Sequence, residues 1–452
     1  MTDLFFWLNK IDQWVWRPLF VVLIGTGIFL TYKLRALQFR SLGYALKQAF
    51  TPHNEKAEGD ISHFQALMTA LAATIGIGNI AGVATAITMG GLGSIFWLWV
   101  TALIGMATKY SEAILAIKYR VTDDRGEMAG GPMYYLEKAM DWKGLALAFA
   151  LFGALTALFT GNIVQSNSIA SAFTNYFEVN AWIIGVILAI CTGLVLIGGI
   201  RSIGGVTSFL VPAMALFYIL GSLLILGIYY DQIPNAVAAI FKTAFTGQAA
   251  IGGFAGSTIM MAVQMGVSRG VFSNESGLGS SPIAAAAAKT DFPARQALIS
   301  MTGAFLSTIV CSFTALAIAV THVLGRVTLD GSLLTGAPLT IAAFDAALPY
   351  GGYIVVFGSV LFGFSTIIGW AYYGEKCCEY LFGTKAIFSY RFLFSIAVLL
   401  GVFIPLEMVW TLADIFNAFM ALPNLIGILA LANVVVAETG IFFTKVKQEK
   451  PL

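Results

Sequence analysis

Charge is what this sequence lacks. Of its 452 residues only 11% are charged, against 58% hydrophobic and a mean hydropathy of +0.85. Soluble domains carry about 25% charged residues, so the chain reads as an integral membrane protein before any motif is considered. Cysteine is scarce too. Cys191, Cys311, Cys377 and Cys378 all fall in or beside apolar segments, with no CxxC or Cys/His spacing. That supports neither a zinc site nor a disulfide framework and favours small buried residues. The three histidines, His53, His63 and His322, are scattered, so no metal cluster is expected. No nucleophile–base pair lies at membrane depth, which argues against an enzyme. The start, MTDLFFWLNKIDQWVWRP, lacks a basic region followed by a cleavage site. It reads as an interfacial anchor before a retained span, not a signal peptide. No appended soluble domain is visible, and no nucleic-acid partner is expected.

What is present is a series of long apolar runs. Eleven can cross a bilayer of about 30 Å: 17–33, 62–90, 94–118, 144–175, 181–199, 207–230, 254–286, 295–324, 352–381, 387–404 and 407–443. A shorter amphipathic piece, 337–352, precedes the ninth. Nineteen Lys and Arg residues, in loops or toward span ends, are assigned to one side, and four (Lys10, Arg17, Lys242, Arg326) to the other; Lys109 and Arg269 lie deeper within spans. The excess of positive charge marks the cytoplasmic face, so the N-terminus is expected outside and the C-terminus inside the cell membrane.

Two spans are interrupted. TIGIGNIAG (74–82) puts three glycines and an asparagine at the middle of 62–90. Alone it approximates a dinucleotide fingerprint. That reading needs a preceding strand and an acidic residue about 20 positions on, whereas this segment is helical and the next acidic residue is Glu112. The second interruption, GVFSNESGLGSS (270–281), breaks 254–286. Each opens a run of five spans, and the two run in opposite directions. The expected architecture is all-α: one extra N-terminal helix (1–60), two inverted five-helix halves (61–230 and 231–443) and a cytoplasmic tail (444–452). Paired, interrupted helices in inverted halves point to the binding site of a secondary transporter. Unwound backbone survives at mid-membrane only where it is buried and finds partners. Half-helix ends then offer N–H groups to a carboxylate and carbonyls to an ammonium or Na⁺.

The stretch GGLGSIFWLWVTALIG (90–105) resembles the signature of the alanine or glycine:cation symporter family, also called sodium:alanine symporters. Members usually read FWMW where this chain has Leu98 for Met, and Ser94 fills the small position. GIGNIAGVATAI (76–87), AGGPMYYLE (129–137) and GVFSNESGLGSSPIAAAAA (270–288) are similar to the family as well. The resemblance covers nearly the whole chain. It implies the amino acid–polyamine–organocation superfamily, a LeuT-type 5+5 inverted repeat, and Na⁺-coupled uptake of alanine or glycine by alternating access.

On that resemblance, Thr74, Ile75 and Gly76 offer carbonyls to the ammonium or to Na⁺. Gly78 and Asn79 face the carboxylate, with the Asn79 amide oxygen a candidate cation ligand; an interhelical hydrogen bond is the bland alternative. Phe272, Ser273 and Asn274 line the opposite wall, or simply pack. Gln165 is the favoured substrate-binding side chain on the fourth span, where helix–helix bonding is the alternative. Sodium is expected on the carbonyls of Ala72 and Ile75 and the hydroxyls of Ser365 and Thr366, unless those hydroxyls cap their own helix. Trp370, four residues past Thr366, closes a pocket for a small substrate. Glu275, the acidic residue within the second interruption, has three readings: an acceptor for backbone N–H groups, a partner of Arg269, or a proton carrier. Lys109 and Glu112 read as a structural ion pair. A proton-coupled or exchange carrier on the same fold is the nearest rival; a non-transporting sensor or channel is the more distant one.

Overall fold

A computed structural model describes residues 2–51, 57–249, 256–328, 331–404 and 406–449. Lys56 and Lys450, counted above among the cytoplasmic charges, and Phe254 and Ala255 at the start of the seventh span lie outside the described residues.

The chain is helical almost throughout. Helix α1 (Thr2–Lys33) is followed by short α2 (Leu37–Arg40) and α3 (Leu42–Phe50). Helix α4 (His63–Thr74) begins at a capping box, in which Ser62 and Gln65 each accept the other's backbone N–H. It stops at Thr74, gives way to a tight turn at Ile77–Asn79, and resumes as α5 (Ala81–Gly90). Next come α6 (Gly93–Lys118), the two-stranded hairpin β1 (Val121–Thr122) and β2 (Met128–Ala129), and α7 (Pro132–Met140). Helices α8 (Lys143–Leu158) and α9 (Val164–Phe177) are continuous through one wide π turn, Phe159–Ile163. Then follow α10 (Ala181–Ile197), α11 (Gly199–Ile228) and α12 (Ile233–Thr246). Helix α13 (Ile259–Asn274) breaks over 275–280 before α14 (Ser281–Ala286). The remainder is α15 (Pro293–Val320), α16 (Gly336–Ala347), α17 (Gly352–Phe382), α18 (Ala386–Gly401), α19 (Leu406–Ala430) and α20 (Ala432–Glu449).

Among the described residues, seven helical stretches are long and apolar enough to cross a membrane: Phe6–Lys33, Gly93–Lys118, Lys143–Thr174, Gly199–Ile228, Pro293–Val320, Gly352–Phe382 and Met408–Ala430. Three shorter apolar helices, Ala81–Gly90, Ala181–Ile197 and Ala386–Gly401, accompany them. The chain is therefore a multi-pass membrane protein. Both interruptions expected from the glycine clusters are present. One span differs: 407–443 is two helices, with a bend at Leu431 between α19 and α20. The second piece carries polar anchors. Asn433 accepts from Lys33 Nζ at 2.5 Å, Glu438 pairs with Lys118, and Thr439 meets the Tyr110 hydroxyl at 2.9 Å. These bonds turn α20 across the ends of α1 and α6. Residues 444–449, expected as a tail, continue that helix.

The interrupted helices are positioned by close backbone contact, as small residues allow in membrane proteins. A Cβ on Gly266 of α13 would lie 2.3 Å from the Ser94 carbonyl oxygen and 2.6 Å from Trp97 Cβ, both on α6. We expect Gly266→Ala to cost about 1–3 kcal/mol and to lower the thermal midpoint in detergent. Gly144→Ala, on α8 with nothing within 4 Å of its added Cβ, is expected to leave it unchanged.

Candidate functional site

The first break is built from neutral groups. Ile75 leaves the helical region (φ −88°, ψ 81°), and the backbone groups that follow need partners from outside α4. The Asn79 amide oxygen accepts the Gly76 N–H at 3.1 Å, and the Gln165 amide oxygen accepts the Ile77 N–H at 3.2 Å. The Asn79 nitrogen donates to the Ser307 carbonyl at 3.1 Å, the Ser307 hydroxyl at 2.8 Å and Cys311 Sγ at 3.2 Å. Thr314 donates to the Asn79 carbonyl at 2.9 Å and is met by the Tyr218 hydroxyl at 2.8 Å. Asn79 is thus the clip that closes the turn onto α15.

The end of α4 meets α17. Thr366 Oγ1 donates to the Ala72 carbonyl at 2.9 Å and Ser365 Oγ reaches the same carbonyl at 3.3 Å. Ser365 also reaches its own-helix Phe362 carbonyl at 2.9 Å, and Thr74 caps the Ala70 and Leu71 carbonyls of its own helix. A Cβ on Gly76 would lie 2.4 Å from Thr366 Oγ1 and 3.3 Å from Gln165 Oε1. Glycine is needed there so that both side chains can reach the unwound backbone.

The π turn supplies the third wall. Gln165 Nε2 donates to the Thr160 carbonyl at 3.0 Å, within that turn. Asn417 of α19 donates to Thr160 Oγ1 at 3.1 Å. A Cβ on Gly161 would sit 2.1 Å from Trp370 Cβ, so Trp370 packs directly on the bulged backbone. Such single-turn bulges are frequent at functional sites. Across the site the Phe272 ring rests on Gly78 and packs on Trp410, centroids 5.0 Å apart. Arg269 covers both rings and pairs with Asp414 at 3.2 Å, not with Glu275.

The second break is held by ionisable side chains. Lys109 Nζ donates to the Asn274 carbonyl at 2.9 Å, at the C-terminal end of α13. Glu112 accepts the Gly277 N–H at 3.0 Å, on the approach to α14. Each charge complements the helix end that it faces. Asn424 bridges the Glu112 carboxylate at 2.6 Å and the Gly277 carbonyl at 2.8 Å. Glu275 accepts from Ser280 at 2.8 Å. Asn274 therefore belongs to this clamp and is turned toward α6. Ser273 belongs to the first break: its carbonyl accepts from Ser307 at 2.7 Å and its hydroxyl from Cys311 at 3.4 Å.

Beyond the spans, Arg120 ties the outer stems of both broken helices, donating to the Ala286, Ala288 and Glu58 carbonyls at 2.7–2.9 Å. Asp123, in the β1–β2 turn, accepts from Lys376 at 3.2 Å. Burial opposes the Asp123 charge, but the Glu127 N–H, Lys376 and the Arg125 N–H outweigh it and hold its pKa below the ordinary carboxylate value.

This geometry can be set beside known proteins. The model of the family described as "Sodium:alanine symporter family" matches residues 1–451. The chain belongs to that family. It is 56% identical to the sodium/alanine symporter AgcS of Methanococcus maripaludis over 442 residues, 96% of each chain. It is 37% identical to the amino-acid carrier protein AlsT of Bacillus subtilis, covering 94% of this chain and 90% of that one. Among solved structures, MhsT in complex with L-phenylalanine superposes with a TM-score of 0.57 at 13% identity, over 86% of this chain and 99% of that one. A manganese transporter of Eremococcus coleocola gives 0.52 at 13% identity, over 83% and 78%. These likenesses are of fold.

Ala72, Gly76, Gln165 and Thr366 thus converge, with Gly78, Phe272 and Trp370 around them. Ser307 and Thr314 go unnoticed in the sequence, and Cys311 reads there only as a small buried residue. Their i, i+4, i+7 spacing on α15 is the signal, since it puts three small polar groups on one helix face. We expect Asn79→Ala to strand the buried Gly76 N–H, at about 1–3 kcal/mol, and to lower both the thermal midpoint and ligand affinity. Asn79→Asp keeps the accepting oxygen and should lose less in the same thermal and binding assays.

Proposed function

We propose that the chain imports alanine or glycine together with Na⁺ by alternating access. As a member of the sodium:alanine symporter family it is a carrier: a secondary transporter that moves small neutral amino acids with sodium. The observation that carries the residue-level reading is the meeting of Ser365 and Thr366 on the Ala72 carbonyl, one turn before the unwound Gly76. Sodium is a hard cation that prefers several neutral or anionic oxygens, by analogy with calcium and magnesium. Two hydroxyls and the carbonyls of Ala72 and Ile75 form such a set. The amino acid then lies along Thr74–Asn79, between Gln165 and Trp370 on one side and Phe272 and Ser273 on the other; Asn274 is the weakest member of the set. Gly161 against Trp370 and Gly78 against Phe272 favour a small side chain.

The topology we propose has eleven spans: the seven long stretches, the two interrupted helices α4–α5 and α13–α14, and the shorter α10 and α18. The first span is additional, and the other ten form two inverted sets of five, with the N-terminus outside and the C-terminus in the cytoplasm. One Na⁺ entering down 100 mV releases about 2.3 kcal/mol. At about 1.4 kcal/mol per tenfold, that alone concentrates a zwitterion roughly fortyfold. Coupling follows when both ligands stabilise the same closed form. A proton-coupled reading would use Glu275; its bond to Ser280 favours a fixed role at the second break.

Reconstituted vesicles with an inward Na⁺ gradient should accumulate alanine. Accumulation undiminished when choline replaces Na⁺ at constant pH would sink the symport reading. Thr366→Ala should raise the half-saturating Na⁺ concentration about tenfold or more, read from the same uptake assay.

A further inference from the structure

We propose that Asn417 is a specificity-determining residue whose amide oxygen accepts a hydrogen bond from the ammonium group of the substrate. The proposal rests on the reading above, that the site takes an amino acid.

Asn417 is buried, with 1% of its surface exposed. Its nitrogen is engaged by Thr160 Oγ1 at 3.1 Å, whereas its oxygen, equally buried, has no hydrogen-bond partner among the described residues. A buried acceptor without a donor costs about 1–3 kcal/mol, so a ligand that supplies the donor regains it on binding. The surroundings show where that donor would lie. Asn417 stands seven residues past Trp410, two turns along the same face of α19, and Trp410 packs on Phe272. Its partner Thr160 lies in the wide turn on which Trp370 rests, and the Thr160 carbonyl receives Gln165. Gln165 in turn holds the Ile77 N–H of the first break. The chain of bonds therefore runs from unwound backbone, through Gln165 and the π turn on which Trp370 packs, to an oxygen left without a donor. An acceptor of this kind suits an N–H donor, and the positive charge of an ammonium strengthens the bond.

The test is binding of L-alanine to purified protein, with a sodium-only titration followed by tryptophan fluorescence. Asn417→Leu removes the oxygen at similar volume. We expect its alanine dissociation constant to rise about tenfold or more, with the sodium-only midpoint unchanged and its affinity for propionate, which lacks the ammonium, equal to that of wild type. Asn417→Asp keeps an accepting oxygen, and Thr160→Val removes the bond between the two side chains while leaving the Asn417 oxygen in place; the alanine affinity of each should stay within about threefold of wild type. Three results would overturn the proposal: unchanged alanine affinity in Asn417→Leu, a shifted sodium-only midpoint, or a loss in Thr160→Val as large as in Asn417→Leu. The last would make Asn417 a brace for the π turn. Should Asn417→Leu fail to fold, the comparison of Asn417→Asp with Thr160→Val decides between acceptor and brace. Failure of wild type to bind alanine with sodium is a separate result, and would instead refute the reading on which this proposal rests.

Discussion

Two stretches of unwound backbone lie within apolar helices, and each must find hydrogen-bond partners where water and lipid supply none. Much of the polar chemistry inside this molecule answers that constraint. It explains why buried amides and hydroxyls gather on α15, α17 and the π turn between α8 and α9. It also explains why a lysine and two glutamates are tolerated at depth.

The two breaks are satisfied by different means, and the difference separates their roles. At 275–280, Lys109 holds a carbonyl, Glu112 holds an N–H, and Asn424 bridges carboxylate and backbone. Charges aimed at helix ends make a strong and rigid clamp. At 75–80 the partners are Asn79, Gln165, Ser307 and Thr314, all neutral. On the proposed function, that neutral set suits the first break to exchange partners with a zwitterion and a cation. Both helices are interrupted, and the second break is the one clamped by Lys109, Glu112 and Asn424.

Much of this was legible in the residues. Glycine with small polar residues inside an apolar run has few structural uses, so the breaks at 74–82 and 270–281 stand out. Gln165 follows from polar side chains at helical spacing, whereas Thr366 comes from the family resemblance. Other features lack such marks. The Asn79 oxygen reads as a candidate ion ligand, but the Gly76 N–H, left without a helical acceptor by the tight turn, takes it. Asn274 reads as pocket lining, but its carbonyl ends α13 and is taken by Lys109. The bend at Leu431 lies inside an unbroken apolar run; only the side-chain anchors at Asn433, Glu438 and Thr439 reveal it. Asn417 is one more asparagine in a long helix until its oxygen is seen to lack a partner.

The central claim is that ligands engage the first break and leave the second alone. Amide hydrogen exchange across both segments, with and without Na⁺ plus alanine, tests it directly. The account predicts added protection at 75–80 on ligand addition and little change at 275–280, which Lys109, Glu112 and Asn424 clamp from neighbouring helices. Protection confined to 275–280, or none at either break, would contradict it.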